Sequence, residues 1–183
     1  MSEAFCGDTY LYDEVWRLAG SVRTIVETGT YDGRTTLALA DMADTVHTIE
    51  IDAVRYAEAR EALRACPNVI THHGRSQDVL RAILPTLDKP CLYWLDAHWR
   101  DENPLLAEIE LIAAHDPSPI LAIHDMRVPN RPDLKYDTYN GQPYCFEWVE
   151  PSLRKLKCRW RHYYNDEANG QRVGVLFVVP CEP

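Results

Sequence analysis

The 183-residue chain has no G-x-G-x-x-G, no C-x-x-C pair and no run of basic residues. The first absence argues against a bound dinucleotide, whose pyrophosphate needs that glycine-rich turn. The second leaves six scattered cysteines (Cys6, Cys66, Cys91, Cys145, Cys158 and Cys181), as suits reduced, partly buried thiols in a cytosolic protein. The third, with 19 basic against 28 acidic residues and a net charge of −9, argues against a nucleic-acid partner held through its phosphates. No apolar run approaches the roughly 18 residues of a membrane span, so none is expected. The opening segment MSEAFCGDTYLYDE lacks a basic region followed by an apolar one, so no secretory signal is expected and a cytoplasmic location is. What remains is an ordinary globular composition, 46% apolar and 26% charged, that fits one domain over residues 1–183.

The densest signal is TIVETGTYDG at 24–33, followed by VHTIEID at 46–52. It reads as a buried strand, a glycine turn, a helix, and a second strand with a carboxylate at its tip. Gly29 and Gly33 allow a sharp turn and a close backbone approach to a ligand. Glu50 falls in the window where a carboxylate accepts hydrogen bonds from ribose hydroxyls. Because only Thr-Tyr-Asp separates the two glycines, a nucleoside without phosphates is favoured.

Strands and helices alternate along the chain. A leading amphipathic helix within residues 1–22 is expected to bury Tyr10, Val15, Trp16 and Leu18. Strands are expected at 24–27, 46–51, 69–72, 91–96 and 120–123, with helices between them. Ser76 is placed as the cap of the third of these helices, and Cys91 and Cys158 are expected to begin strands. A helix at 147–156 precedes two strands, 158–164 and 173–179, joined by a polar turn. The fold class is α/β: a Rossmann-like, doubly wound, seven-stranded, mostly parallel sheet with a C-terminal antiparallel hairpin strand. Ligands of such sheets bind beyond the carboxyl ends of the strands. Glu27, Glu50, Asp96 and the pair His124-Asp125 all fall at those ends.

These residues resemble the class I S-adenosylmethionine-dependent methyltransferases, in the branch of catechol O-methyltransferase-like and macrolide-sugar O-methyltransferase-like enzymes. The resemblance spans about Thr24 to Val179 and rests on VETGTYDGRTT, HTIEID, GRSQDVL, LDAHWRDENPLL and AIHDMR, in that order. It implies an S-adenosyl-L-methionine site formed by Glu27, Gly29, Tyr31, Gly33, Thr35, Glu50, Ile51, Ser76, Gln77, Asp96 and Trp99, with Ser76 and Gln77 beside the adenine. It also implies a divalent cation, Mg²⁺ or Mn²⁺, on Asp96, His124 and Asp125. Two departures stand out. A histidine occupies a position where oxygen donors are common, and Arg100 stands where catechol-type members carry a lysine base; an arginine cannot serve as one.

The implied reaction is methyl transfer to a hydroxyl of a small acceptor, sugar-like or natural-product-like. The protein would align the reactants, and a metal would ease loss of the acceptor proton. Asp96 and His98 are the candidate catalytic residues, His98 as general base, since imidazole titrates near neutral pH. Plainer roles stay open: Asp96 as a helix cap, His124 as a core histidine bonded to a backbone carbonyl, His98-Trp99 as a surface turn, Tyr31 as packing. His72 and His73 are read as solvated. The polar, aromatic segment 127–144 is expected to be a substrate loop, with Tyr136, Tyr139 and Tyr144 lining an acceptor pocket and Asp137 or Asn140 bonding its hydroxyls. Partners are therefore a small hydroxylated molecule, neither nucleic acid nor membrane, with a homodimer left open. Two other functions remain: a metal-independent methyltransferase using His98 alone, and a non-catalytic nucleoside-binding or interaction protein.

Overall fold

The computed structural model describes residues 4–98, 103–169 and 172–181. Seven strands form one sheet: β1 (Thr24–Thr28), β2 (Thr45–Glu50), β3 (Val69–His73), β4 (Cys91–Leu95), β5 (Ile120–Ile123), β8 (Trp160–Tyr164) and β9 (Leu176–Pro180). Between β5 and β8, two short strands, β6 (Thr138–Tyr139) and β7 (Gln142–Pro143), pair in a ribbon of their own. The sheet order is β3-β2-β1-β4-β5-β9-β8. β1 to β5 run parallel, and β9 is antiparallel to both β5 and β8. The Rossmann-like, mostly parallel sheet with its C-terminal antiparallel hairpin strand is the expected architecture.

The central strands β1, β4 and β5 are buried on both faces, which is why β4 and β5 read as unbroken apolar runs instead of alternating ones, while β1 buries Glu27 and its threonines as well. Their side chains still divide by the two-residue period. Ile25, Leu92, Trp94 and Phe177 meet Leu11 and Val15 of α1 (Thr9–Ala19) and Leu39 of α2 (Arg34–Ala40). Val26, Tyr93, Leu95 and Val178 meet Leu80 of α4 (Ser76–Ile83), Ile109 of α5 (Leu105–His115) and Val149 of α6 (Phe146–Leu153). α3 (Ala53–Ala62) connects β2 to β3. Among the described residues, no helix is long and apolar enough to cross a membrane.

Several expectations need correction. Tyr10 and Trp16 are not buried; they are 53% and 50% exposed. Asp8 caps α1 by accepting from the Leu11 amide at 3.1 Å, and the helix then turns Leu11, Val15 and Leu18 to the sheet, leaving Trp16 to stack on Tyr12. Ser76 is not a cap but the first residue of α4; Arg75 precedes it without a side-chain capping bond. β8 and β9 begin later than expected, so Cys158 lies ahead of its strand. The Asn165 amide donates to the Val173 carbonyl (2.8 Å) and accepts from the Val175 N–H (2.7 Å), which takes those backbone groups out of the ladder.

Segment 127–144 is also more ordered than a loop. Asn140 and Gly141, with φ of 50° and 79°, form the turn between β6 and β7. The Asp137 amide donates to the Asp125 carbonyl (3.0 Å), and the Tyr144 amide to the Asp137 carbonyl (2.9 Å). These bonds fasten Asp137 beside the tip of β5.

Candidate functional site

The sheet order reverses between β1 and β4, and a cavity of about 540 Å³ opens over the carboxyl ends of β1, β2 and β4. Its size and position suit a small ligand. One wall is the β1–α2 turn, with Gly29, Thr30, Tyr31, Asp32 and Thr35. Gly29 has φ of 88°, and a Cβ there would stand 2.4 Å from the Asp96 carbonyl oxygen. Glycine is therefore required so that the turn can lie against the tip of β4. Gly33 (φ 78°) lies outside the lining; it only lets the chain enter α2.

Glu50, Ile51 and Arg55 form the β2 side of the cavity. Glu50 is buried, and its two oxygens accept from the Tyr31 and Asp52 amides, each at 2.8 Å. The strand-two carboxylate thus has a structural role as well, tying the two loops that shape the cavity. A carboxylate offers about four acceptor sites, so two remain for a ligand. The Tyr31 ring lies beneath the Arg55 guanidinium at 3.8 Å, and is half exposed at the rim. Ser76 and Gln77 line the far side.

Glu27 does not reach this cavity. It is fully buried behind it, where Oε2 accepts from Thr36 (2.5 Å) and Thr48 (2.6 Å). Burial pushes its carboxyl up to about 8, against the lowering effect of those two hydroxyls. Glu108 of α5, which sequence reasoning passed over, is also fully buried. It bonds to Thr28 and Ser76, and burial raises it to about 7. An acid in the apolar face of a helix breaks the amphipathic pattern, and that was its available signal. Both carboxyls hold their proton more tightly folded than unfolded. Their stabilising contribution is complete below the ordinary value of 4.5 and is lost as pH rises through about 7 to 8. Glu27→Gln cannot titrate, so its stability relative to the parent chain should rise by on the order of 3–5 kcal/mol between pH 5 and pH 9. Urea unfolding at both pH values measures this, and a constant difference would refute the neutral-acid assignment.

The opposite wall is Asp96, Ala97 and His98 at the end of β4. Beside it, from β5, His124 is 7% exposed, with Nδ1 3.1 Å from Asp96 Oδ1 and 3.3 Å from Asp125 Oδ1. The ring edge is near both oxygens but aligned with neither, so no hydrogen bond of good geometry forms. Burial alone would push this imidazole down; the Asp96 and Asp125 carboxylates more than offset it and hold it well above its ordinary value. Nε2 faces Cys6 Sγ at 3.9 Å, not a backbone carbonyl. His98 is half exposed, 3.7 Å from Asp125 Oδ2 and 3.9 Å from Asp137 Oδ2. Asp96, His124 and Asp125 are spaced to share one cation, and His98, Asp125 and Asp137 form a second such group.

Of the other expected residues, Trp99 lies outside the described residues, as does Arg100. Tyr144 is buried in the core, bonded through its hydroxyl to Asn103 and packed on Trp148, so it does not line a pocket. Tyr136 is exposed and outside the cavity lining, as is Asn140 at its turn. His72 is half buried and pairs with His47 at 3.0 Å; His73 is exposed and stacks on Tyr56. Cys6 was not anticipated in the site. Phe5, buried against Trp94, anchors a short turn in which Phe5, Cys6 and Gly7 all have positive φ, and this turn delivers Cys6 to the cavity. Nothing in the letters AFCG signals that.

No family model and no curated protein matches the sequence. Among solved structures, TomG from Streptomyces achromogenes, an O-methyltransferase involved in tomaymycin synthesis and solved with S-adenosylmethionine, is similar at 20% identity, over 94% of this chain and 79% of that one, with a TM-score of 0.64. An O-methyltransferase from Bacillus cereus, solved with S-adenosylhomocysteine, is similar at 17% identity over 94% and 80%, with a TM-score of 0.63. A precorrin 8w decarboxylase from Methanobacterium thermoautotrophicum is similar at 16% identity over 95% and 90%, with a TM-score of 0.62. The chain has the fold of S-adenosylmethionine-dependent O-methyltransferases.

Proposed function

We propose that the protein is an S-adenosylmethionine-dependent O-methyltransferase acting on a small hydroxylated molecule, with a divalent ion on Asp96, His124 and Asp125. The observation that carries this reading is the cavity at the strand-order reversal, with a two-loop carboxylate, Glu50, on one side and a metal-spaced cluster on the other. The free acceptor sites of Glu50 suit a ribose diol, and Ser76 and Gln77 suit an adenine edge. The cofactor would supply an already activated methyl group, so the residues chiefly align and desolvate the reactants. A bound divalent ion would fix the acceptor hydroxyl and lower its pKa. His98 stands at the rim to take that proton, and Asp125 and Asp137 beside it would stabilise the resulting imidazolium.

Calorimetric titration with S-adenosylmethionine tests the first half. Binding should be measurable and should weaken in Glu50→Ala by roughly 1.5–3 kcal/mol, the worth of hydrogen bonds to a charged group. Absence of heat and of any thermal shift would leave only the fold. Chelation followed by Mg²⁺ or Mn²⁺ add-back tests the second half: activity that survives chelation refutes the metal role and leaves the metal-independent reading, with His98 as its candidate base.

A further inference from the structure

We infer that the Asp96–His124–Asp125 cluster selects a first-row transition ion over Mg²⁺, because His124 Nδ1 supplies a nitrogen donor that the fold holds in place. This rests on the proposed reading of the cluster as a metal site. Two donors that each lie ~2.1–2.2 Å from one ion, at right angles, stand ~3.0–3.1 Å apart. The observed 3.1 Å and 3.3 Å from Nδ1 to the two carboxylates are close to that spacing. The same atom is buried and has no aligned hydrogen-bond partner.

The ring is held by its backbone and by two neighbours. The His124 amide donates to the Leu95 carbonyl at 3.0 Å, fixing the backbone in register with β4. The Trp94 ring lies 5.4 Å away, and Cys6 Sγ closes the Nε2 edge. Nε2 faces that sulfur while Nδ1 faces both carboxylates, so Nδ1 is the atom placed to ligate, an entering ion displacing any proton it carries. With the ring buried and its backbone paired to β4, an ion entering between the two carboxylates meets nitrogen at this position. Mg²⁺ prefers an all-oxygen octahedron and dehydrates reluctantly, whereas Mn²⁺, Fe²⁺, Co²⁺ and Zn²⁺ bind imidazole well. Two carboxylates with one neutral imidazole also balance a dication.

The test is calorimetric titration of chelator-treated, full-length protein with Mg²⁺, Co²⁺ and Zn²⁺, alongside His124→Asn. Transition ions outbind Mg²⁺ at many sites, so the change in ratio is the readout. The Co²⁺/Mg²⁺ affinity ratio should fall at least ~10-fold in His124→Asn, whose side chain offers oxygen. An unchanged ratio overturns the inference. A second readout needs no variant: Mn²⁺-loaded parent protein should show nitrogen hyperfine coupling from a directly bound imidazole, and its absence also overturns it. If the ion binds through oxygen alone and is lost in Asp96→Asn, the metal site stands and only its selectivity falls. If no ion binds, the metal half of the proposed function falls too.

Discussion

Asp96→Asn should empty the proposed metal site. Removing partners that merely orient a ligand costs ~10–100-fold in affinity or activity, so replacing a direct charged ligand should weaken Mn²⁺ binding by more than ~100-fold. The free-ion signal of Mn²⁺ in paramagnetic resonance measures this. Methyl transfer to any acceptor should fall in parallel. The fold should survive, because the Asp96 side chain is a quarter exposed and sits beyond the end of β4. Unchanged Mn²⁺ affinity in a folded Asp96→Asn protein would show that Asp96 is not a ligand, and no Mn²⁺ binding by the parent chain would leave the cluster an ion-paired histidine.

Gly29→Ala should be the most damaging single methyl in the cavity wall. Two effects add. The left-handed backbone strains any side chain, by roughly 1–3 kcal/mol, and the new Cβ would collide with the Asp96 carbonyl at 2.4 Å. Gly33→Ala is the internal control. Its φ is similar, but its Cβ would meet only the Leu63 side chain at an ordinary 3.4 Å. Urea unfolding should show Gly29→Ala losing roughly 3 kcal/mol or more, and Gly33→Ala about 1–2 kcal/mol. Equal losses would mean that the close approach of the turn to β4 contributes nothing.

The comparison also shows which layers of the structure the sequence discloses. Strands buried on both faces announce themselves as apolar runs, and Ile120–Ile123 begins and ends where the letters place it. Position along the chain was enough to bring Glu50, Asp96, His124 and Asp125 to one rim, because a parallel sheet delivers every strand end to the same edge. The direction of a side chain at a strand tip is another matter. Glu27 points behind the cavity because Thr36 and Thr48 lie there to receive it, and those threonines come from two other elements. Cys6 arrives through three consecutive left-handed residues, which no periodicity encodes. The hairpin in segment 127–144 was legible in its Asn140-Gly141 pair, a strong turn signal set aside for the aromatics around it.

The central claim is that an adenosyl group lies across the carboxyl rim of the sheet, held by Glu50. A crystal of the protein grown with S-adenosylhomocysteine tests it directly. The ribose hydroxyls should lie within hydrogen-bond distance of the Glu50 carboxylate, with the adenine against Ser76 and Gln77. A nucleoside bound elsewhere, or a rim closed over by its own side chains at saturating ligand, would contradict the account.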